Sequence, residues 1–227
     1  MRKIQRLAAV GALAGLTVAL GACGSEEEPA AGGGNEASAP SAPSEPEQSS
    51  AAPSGEGVTT IEDIIGEGCS AVPTDPADQG SPQGMVDDPV GTAASNNPLL
   101  STLADTVVAA KLVDTLNAPN TQYTVFAPSN DAFAELEASS PGITDTLLAE
   151  PEGQLATVLT YHVIPQRYDA QGLVAAGSVM SVQGGMVEIT GTPKAPLVNG
   201  NMVLCGNIPT ANATVFVIDS VLMPPAA

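Results

Sequence analysis

From Gly24 to Gly57 the chain carries no aromatic and no branched aliphatic side chain, so any fold has to be built without these 34 residues. The stretch is mostly Ala, Ser, Pro, Gly and Glu, with seven acids and no Lys or Arg. Such a segment buries too little apolar surface to offset its chain entropy and is expected to stay disordered. As a flexible coil it would span ~32 Å, and more where prolines stiffen it. It reads as a tether that lifts a domain off a surface, with serines available for sugars, or as a spacer with no role beyond length. Branched residues return at Val58 and Ile61. Folding is thereby confined to Val58–Ala227, 170 residues, enough for one domain with a full core.

Within that region, Cys69 to Asn97 is rich in Pro, Gly, Asp and Asn and reads as irregular structure. Asn97 then offers an N-cap and Pro98 an N1 residue, where a missing N–H costs nothing. Leu99, Leu103, Val107, Ala110, Leu112, Val113 and Leu116 follow at helical spacing up to Pro119. Gln122–Phe126 alternates as a strand does, and Ser129, Asn130 and Asp131 cap a short helix carrying Phe133 and Leu136. Further helices are predicted at Ile143–Leu148, Glu152–Tyr161 and Gln171–Ala176. Short strands are predicted at Val179–Val182, Met186–Thr190, Met202–Cys205 and Thr214–Val221. Helices gather early and strands late, an α+β pattern.

The first 22 residues read as a leader. Arg2, Lys3 and Arg6 precede an uncharged apolar run, Leu7–Leu20, too short for a membrane span but right for a secretory core. Leu20-Gly21-Ala22-Cys23 resembles a bacterial lipobox, in which the Cys23 thiol takes a diacylglyceryl group and becomes the new N-terminus. The alternative is an ordinary secretory peptide with a nearby cysteine. Two acyl chains would supply the second signal that stable anchoring needs. Without the leader, three bases (Lys111, Arg167 and Lys194) face all 25 acids, a net charge of −22. No basic patch remains for phosphates, which excludes nucleic acid, and none for anionic lipid. Membrane attachment is expected through Cys23 only. The remaining cysteines, Cys69 and Cys205, read as a disulfide in an exported protein, with two buried free thiols as the alternative. A bridge would close about 137 residues and add up to ~5 kcal/mol in the chain-entropy treatment.

Three stretches stand in order: YTVFAPSNDAF (Tyr123–Phe133), YHVIP (Tyr161–Pro165) and NATVFVIDSVLMP (Asn212–Pro224). Together they resemble the fasciclin (FAS1) domain over roughly Asn96–Ala227: its first block, its tyrosine-histidine box and its C-terminal block. Gly68-Cys69, Gly84-Met85, Asp88-Pro89-Val90 and Ala93–Pro98 further resemble the mycobacterial surface-lipoprotein and secreted-immunogenic branch of that family. The resemblance implies a wedge of two β-sheets with short helices packed on it, an adhesive surface role and no general catalytic activity. It also implies a bridge between Cys69 and Cys205. The integrin-binding segment credited to animal members has no equivalent in Ala149–Gln154, so no integrin site is carried over.

The expected organisation is therefore a signal peptide (1–22), a lipidated Cys23 with tether (23–57) and a fasciclin-like domain (58–227). The expected function is adhesion, or contact with a protein or glycan partner at the envelope or on a host, by a monomeric, surface-exposed, lipid-anchored protein. His162 is the single histidine. With no nucleophile elbow near it, a structural hydrogen-bonding role is expected ahead of partner contact or catalysis. Asp219 is expected in a largely buried strand as a hydrogen-bond acceptor. Tyr161, His162 and Asp219 are thus fold markers rather than an active site. No cofactor is implied. Asp75, Asp78, Asp87 and Asp88 lack calcium-loop spacing, and no other metal-ligand pattern appears. Met180, Met186 and Met202 are expected either to fill the core or to line a pocket for an apolar ligand, which makes a lipid carrier the second reading and an enzyme the third.

Overall fold

A computed structural model of the protein describes residues 57–225. The leader, Cys23 and nearly all of the tether lie outside the described residues. Among the described residues, eight short α-helices crowd the first part of the chain and five of seven strands close it: α1 (Pro82–Met85), α2 (Val90–Asn96), α3 (Ser101–Ala109), α4 (Val113–Leu116), β1 (Tyr123–Pro128), α5 (Asn130–Ser139), α6 (Ile143–Ala149), α7 (Ala156–Tyr161), β2 (Val163–Ile164), α8 (Ala170–Ala176), β3 (Ser178–Met180), β4 (Met186–Thr192), β5 (Ala195–Val198), β6 (Asn201–Pro209) and β7 (Ala213–Ile218).

The strands hydrogen-bond in the order β2-β1-β7-β6-β5-β4-β3. At the centre β1 runs parallel to β7, with Tyr123 opposite Ala213 and Phe126 opposite Phe216. Strands buried on both faces should read as nearly continuous apolar runs, and ATVFVI of β7 does so. Its Ala213, Val215 and Val217, with Val125 and Ala127 of β1, enter a core shared with α2, α3, α7 and Cys205. Phe126, Phe216 and Ile218 point the other way, into a second core closed by Val179, Val187, Ile189, Val198 and Leu173. Phe126 and Phe216 are fully buried, with ring centroids 6.0 Å apart. Each such side chain contributes about 1.5–3 kcal/mol of burial.

The long strand β6 serves two ladders. Asn201 and Met202 pair with β5, whereas Val203 to Pro209 pairs with β7 through two register shifts. Bulges of this kind bend and twist a strand, and here the bend lets the β3–β6 ladder close over the second core as a wedge. The α+β wedge with short helices is thus as expected.

The N-terminal segment docks on the outside of β6. Cys69 and Cys205 form a disulfide with Cα atoms 4.8 Å apart, and Ile65 and Gly206 exchange backbone hydrogen bonds of 3.1 and 2.8 Å. Gly66, at φ 110°, sits where a Cβ would run into the Leu204 carbonyl, so the approach requires glycine.

Local differences from the sequence reading have local causes. The single helix predicted from Asn97 onward is a 3-10 turn (Pro98–Leu100), α3 and α4, broken at Lys111 with φ 58°. The region read as irregular, Cys69–Asn97, holds α1 and α2, which bury Met85, Val90 and Ala93. The helix predicted from Glu152 begins instead as a π turn, Pro151–Leu155, before α7. Caps at Asn97 and Ser129 form as expected, accepting from Leu99 and Ala132 N–H at 2.9 and 3.2 Å.

Candidate functional site

His162 follows the last turn of α7, directly before β2. That position places its ring in the dry interior, 2% exposed. Nδ1 lies 2.8 Å from the Val158 carbonyl and Nε2 lies 2.9 Å from the Leu222 N–H. A carbonyl can only accept and an amide N–H can only donate, so the partners fix the tautomer: Nδ1 carries the proton and Nε2 accepts. Burial pushes the imidazole pKa down to about 4, only partly opposed by the Val158 carbonyl. Protonating Nε2 would also break the bond to Leu222, so the ring is neutral at physiological pH.

The junction is tied at each level. The His162 carbonyl accepts from Phe126 N–H at 2.9 Å, joining β1 to the turn, while Leu222 belongs to the C-terminal block 60 positions away. Tyr161 is equally buried. Its hydroxyl donates to the Met186 carbonyl at 2.8 Å and accepts from Asn199 Nδ2 at 2.9 Å. Asn199, at φ 50° in the β5–β6 turn, accepts from Glu188 N–H at 2.8 Å. The tyrosine-histidine pair therefore clamps both ladders, Tyr161 to β4 and His162 to the last segment of the domain.

This arrangement leaves little chemistry to do. A catalytic imidazole exchanges a proton through one nitrogen while the other is oriented, often by a carboxylate. Here both nitrogens are bound to backbone and the orienting group is a carbonyl.

Asp219 departs from the expectation. It lies just past β7 rather than in a buried strand, and is half-exposed because β7 pairing ends at Ile218. Its carboxylate accepts from Met202 N–H at 3.0 Å, and its N–H donates to the Met202 carbonyl at 3.1 Å. The acceptor role stands, at the edge of the ladder rather than inside it.

The three methionines neither fill the core nor line a pocket. Met180, Met186 and Met202 are 60%, 51% and 54% exposed. Period-2 alternation sends Val179, Val187 and Val203 inward, so the methionines stand on the outer face, with Met180 directly opposite Met186. An apolar cavity lies instead between α2, α3, α4 and the junction, lined by Val90, Leu103, Val107, Leu116 and His162 among others. Its volume is about 60 Å³. A dry cavity of about 150 Å³ holds one benzene, so this one is well below the size at which a single small apolar ligand is known to fit.

Among the described residues, no three His, Cys, Asp or Glu side chains gather where a metal would sit. Asp75 and Asp78 instead accept from nearby N–H groups in their own turns, at 2.9 and 2.8 Å. No described helix is long and apolar enough to cross a membrane.

Some partners had no signal in the sequence. Arg167 is buried without a carboxylate, donating to Thr214 Oγ1 at 3.1 Å and the Thr210 carbonyl at 3.0 Å. Burial lowers its pKa. Asn212 bridges the C-terminal block to the helices, accepting from Val90 N–H at 2.9 Å and donating to the Leu116 carbonyl at 2.7 Å.

The fold and junction together define a single α+β module whose one imidazole is a structural strut. The family profile described as the Fasciclin domain matches residues 98–224, and the chain belongs to that family. It is 45% identical over 173 residues to the immunogenic protein MPB70 of Mycobacterium bovis, covering 72% of this chain and 84% of that protein. It is 43% identical over 175 residues to the cell surface glycolipoprotein MPB83 of the same species, covering 72% of this chain and 74% of that protein. Among solved structures it is similar to a FAS1 domain pair from the insect cell adhesion molecule fasciclin I. The TM-score there is 0.56 at 17% identity, over 62% of this chain and 52% of that one, a likeness of fold.

Proposed function

We propose that the protein is a lipid-anchored surface module that works by non-covalent contact with a macromolecule of the cell envelope or of a host, without catalysis. The observation that carries this reading is family membership, with one relative named a cell surface glycolipoprotein and another an immunogenic protein. The sealed imidazole supports the non-catalytic half, since the chain's only histidine has no free nitrogen. The small apolar cavity and the outward methionines weigh against the lipid-carrier reading. Anchoring is assigned to Cys23, followed by the tether and a domain from Val58 onward.

Saturable binding of the full chain to intact host cells, matrix proteins or envelope preparations is the expected result. Surface-located, lipidated protein that binds none of them would sink the adhesive reading. Anchoring has its own test: Cys23→Ala is expected to move the protein from the detergent-dependent membrane fraction to the soluble one.

A further inference from the structure

The β5–β6 turn carries a reactive dipeptide that the fold holds shut. Asn199-Gly200 is the one Asn-Gly pair in the chain. It forms the whole of a two-residue hairpin loop, with Asn199 at φ 50° and Gly200 at φ 81°. Tight hairpin turns with positive φ at both central residues favour this dipeptide. The Asn199 side chain has work beyond the turn. Its Oδ1 accepts from Glu188 N–H at 2.8 Å, and its Nδ2 donates to the Tyr161 hydroxyl at 2.9 Å. The carboxamide thereby fastens the tip of the outer ladder to the far end of Tyr161, whose hydroxyl also holds the Met186 carbonyl at 2.8 Å.

Two features make the pair chemically competent. Both residues are exposed, so water reaches them. The Gly200 N–H donates to no group among the described residues, and a Cβ built there would meet nothing within 4 Å, so neither a bond nor bulk shields that nitrogen. Once the carboxamide leaves its two partners, the Gly200 nitrogen loses its proton and bonds to Asn199 Cγ. The Cγ–Nδ2 bond breaks and ammonia departs with that proton, leaving a succinimide ring. Water then adds at one of the two ring carbonyls and breaks its bond to the Gly200 nitrogen or to Cγ's side of the ring. Opening at Cγ gives aspartate; opening at the main-chain carbonyl gives isoaspartate, with the backbone rerouted through Cγ.

Neither product restores the clamp. A carboxylate only accepts, so it offers no hydrogen to the Tyr161 oxygen, whose own hydrogen is committed to the Met186 carbonyl. Isoaspartate also adds a backbone methylene to a loop whose length sets the register of β5 against β6. We propose that Asn199-Gly200 is a self-modification site: deamidation there, gated by opening of the β5–β6 turn, irreversibly releases the β4–β5 hairpin from Tyr161. The hairpin tip then carries one more negative charge, so this surface changes with the age of the protein. The inference goes beyond the adhesive reading and does not rest on it.

The test incubates the full chain in warm, mildly alkaline buffer and maps its peptides by mass over weeks. Asn199 is expected to lose ammonia before the buried Asn207 and Asn212, with isoaspartate as the main product, scored by enzymatic methylation. Tyr161→Phe removes one bond holding the carboxamide and is expected to raise that rate roughly fivefold, the weight of one hydrogen bond in the closed turn. An Asn-Gly pair that is merely exposed would react equally fast in both proteins. Asn199→Asp supplies one product directly: hydrogen exchange in β4 and β5 is expected to accelerate by a similar factor, with β1 and β7 unchanged. The inference is overturned if Asn199 keeps its amide as long as Asn207 and Asn212 do, or if Tyr161→Phe leaves the rate unchanged. It is also overturned if Asn199→Asp exchanges as wild type does.

Discussion

At the Tyr161–His162 junction, the phenol oxygen and both imidazole nitrogens have partners, and the titratable ring is held neutral. In the β5–β6 turn, Asn199 holds the same phenol from the exposed side, next to a glycine nitrogen that donates to nothing among the described residues. The residues that mark the family in sequence are therefore spent on holding two ladders together. The reactive group tied to them is found instead on an unremarkable turn asparagine. A motif locates the fold's strongest constraint, and that constraint leaves it little chemistry of its own.

The largest expected effect comes from the disulfide, because it fastens the N-terminal segment to β6, away from the junction. Replacing Cys69 and Cys205 together by Ser is expected to lose about 4–5 kcal/mol in denaturant unfolding. Hydrogen exchange should accelerate first around residues 58–72, with the junction protected. Equal loosening at Phe126 and Val163 would erase the distinction between the sealed junction and the periphery.

His162→Ala is expected to cost about 3–4 kcal/mol, from the cavity and the unpartnered Leu222 N–H and Val158 carbonyl. Hydrogen exchange around Thr59 should be unchanged in the folded fraction. A fully stable His162→Ala protein would refute the strut. Tyr161→Phe is milder: losing the bonds to the Met186 carbonyl and Asn199 should cost about 1–2 kcal/mol, read as a lower denaturation midpoint. The smallest effect is expected on the outer ladder. Under dilute peroxide, Met180, Met186, Met202 and Met223 should become sulfoxides well before buried Met85, with almost no change in stability. Peptide mass analysis showing Met85 oxidised at a matching rate would contradict the assigned faces.

Much of this was legible in the chain. The alternation at Met186–Thr190 found β4, the apolar run at Thr214–Val221 found β7, and polar caps found the 3-10 turn at Pro98 and the start of α5. What escaped was short or unconventional. The two residues of β2 carry no period, β5 contains Pro196, and the small residues VGTAASN of α2 form a helix because Val90 and Ala93 are buried against α3 and α4. Lys111 turns left-handed with no glycine to announce it. At the junction, the burial of His162 was readable from its apolar neighbours, and Val158 is one helical turn behind it. Leu222 was not readable, because a contact across 60 positions belongs to tertiary structure. The hold on Asn199 was invisible for the same reason: Tyr161 lies 38 positions away.

The central claim, that the marker histidine is a neutral strut, is tested most directly by imidazole NMR across pH on the full chain. A neutral strut shows an Nδ1–H tautomer with no titration from pH 8 down to about 5, since the folded pKa lies at about 4. Because the unfolded ring takes its proton near 6.5, the His162 contribution to stability should be complete above that pH. It should be lost as pH falls toward 4, about 3 kcal/mol in all. A ring that titrates near 6.5 in the folded protein, with its proton on Nε2, would contradict the account.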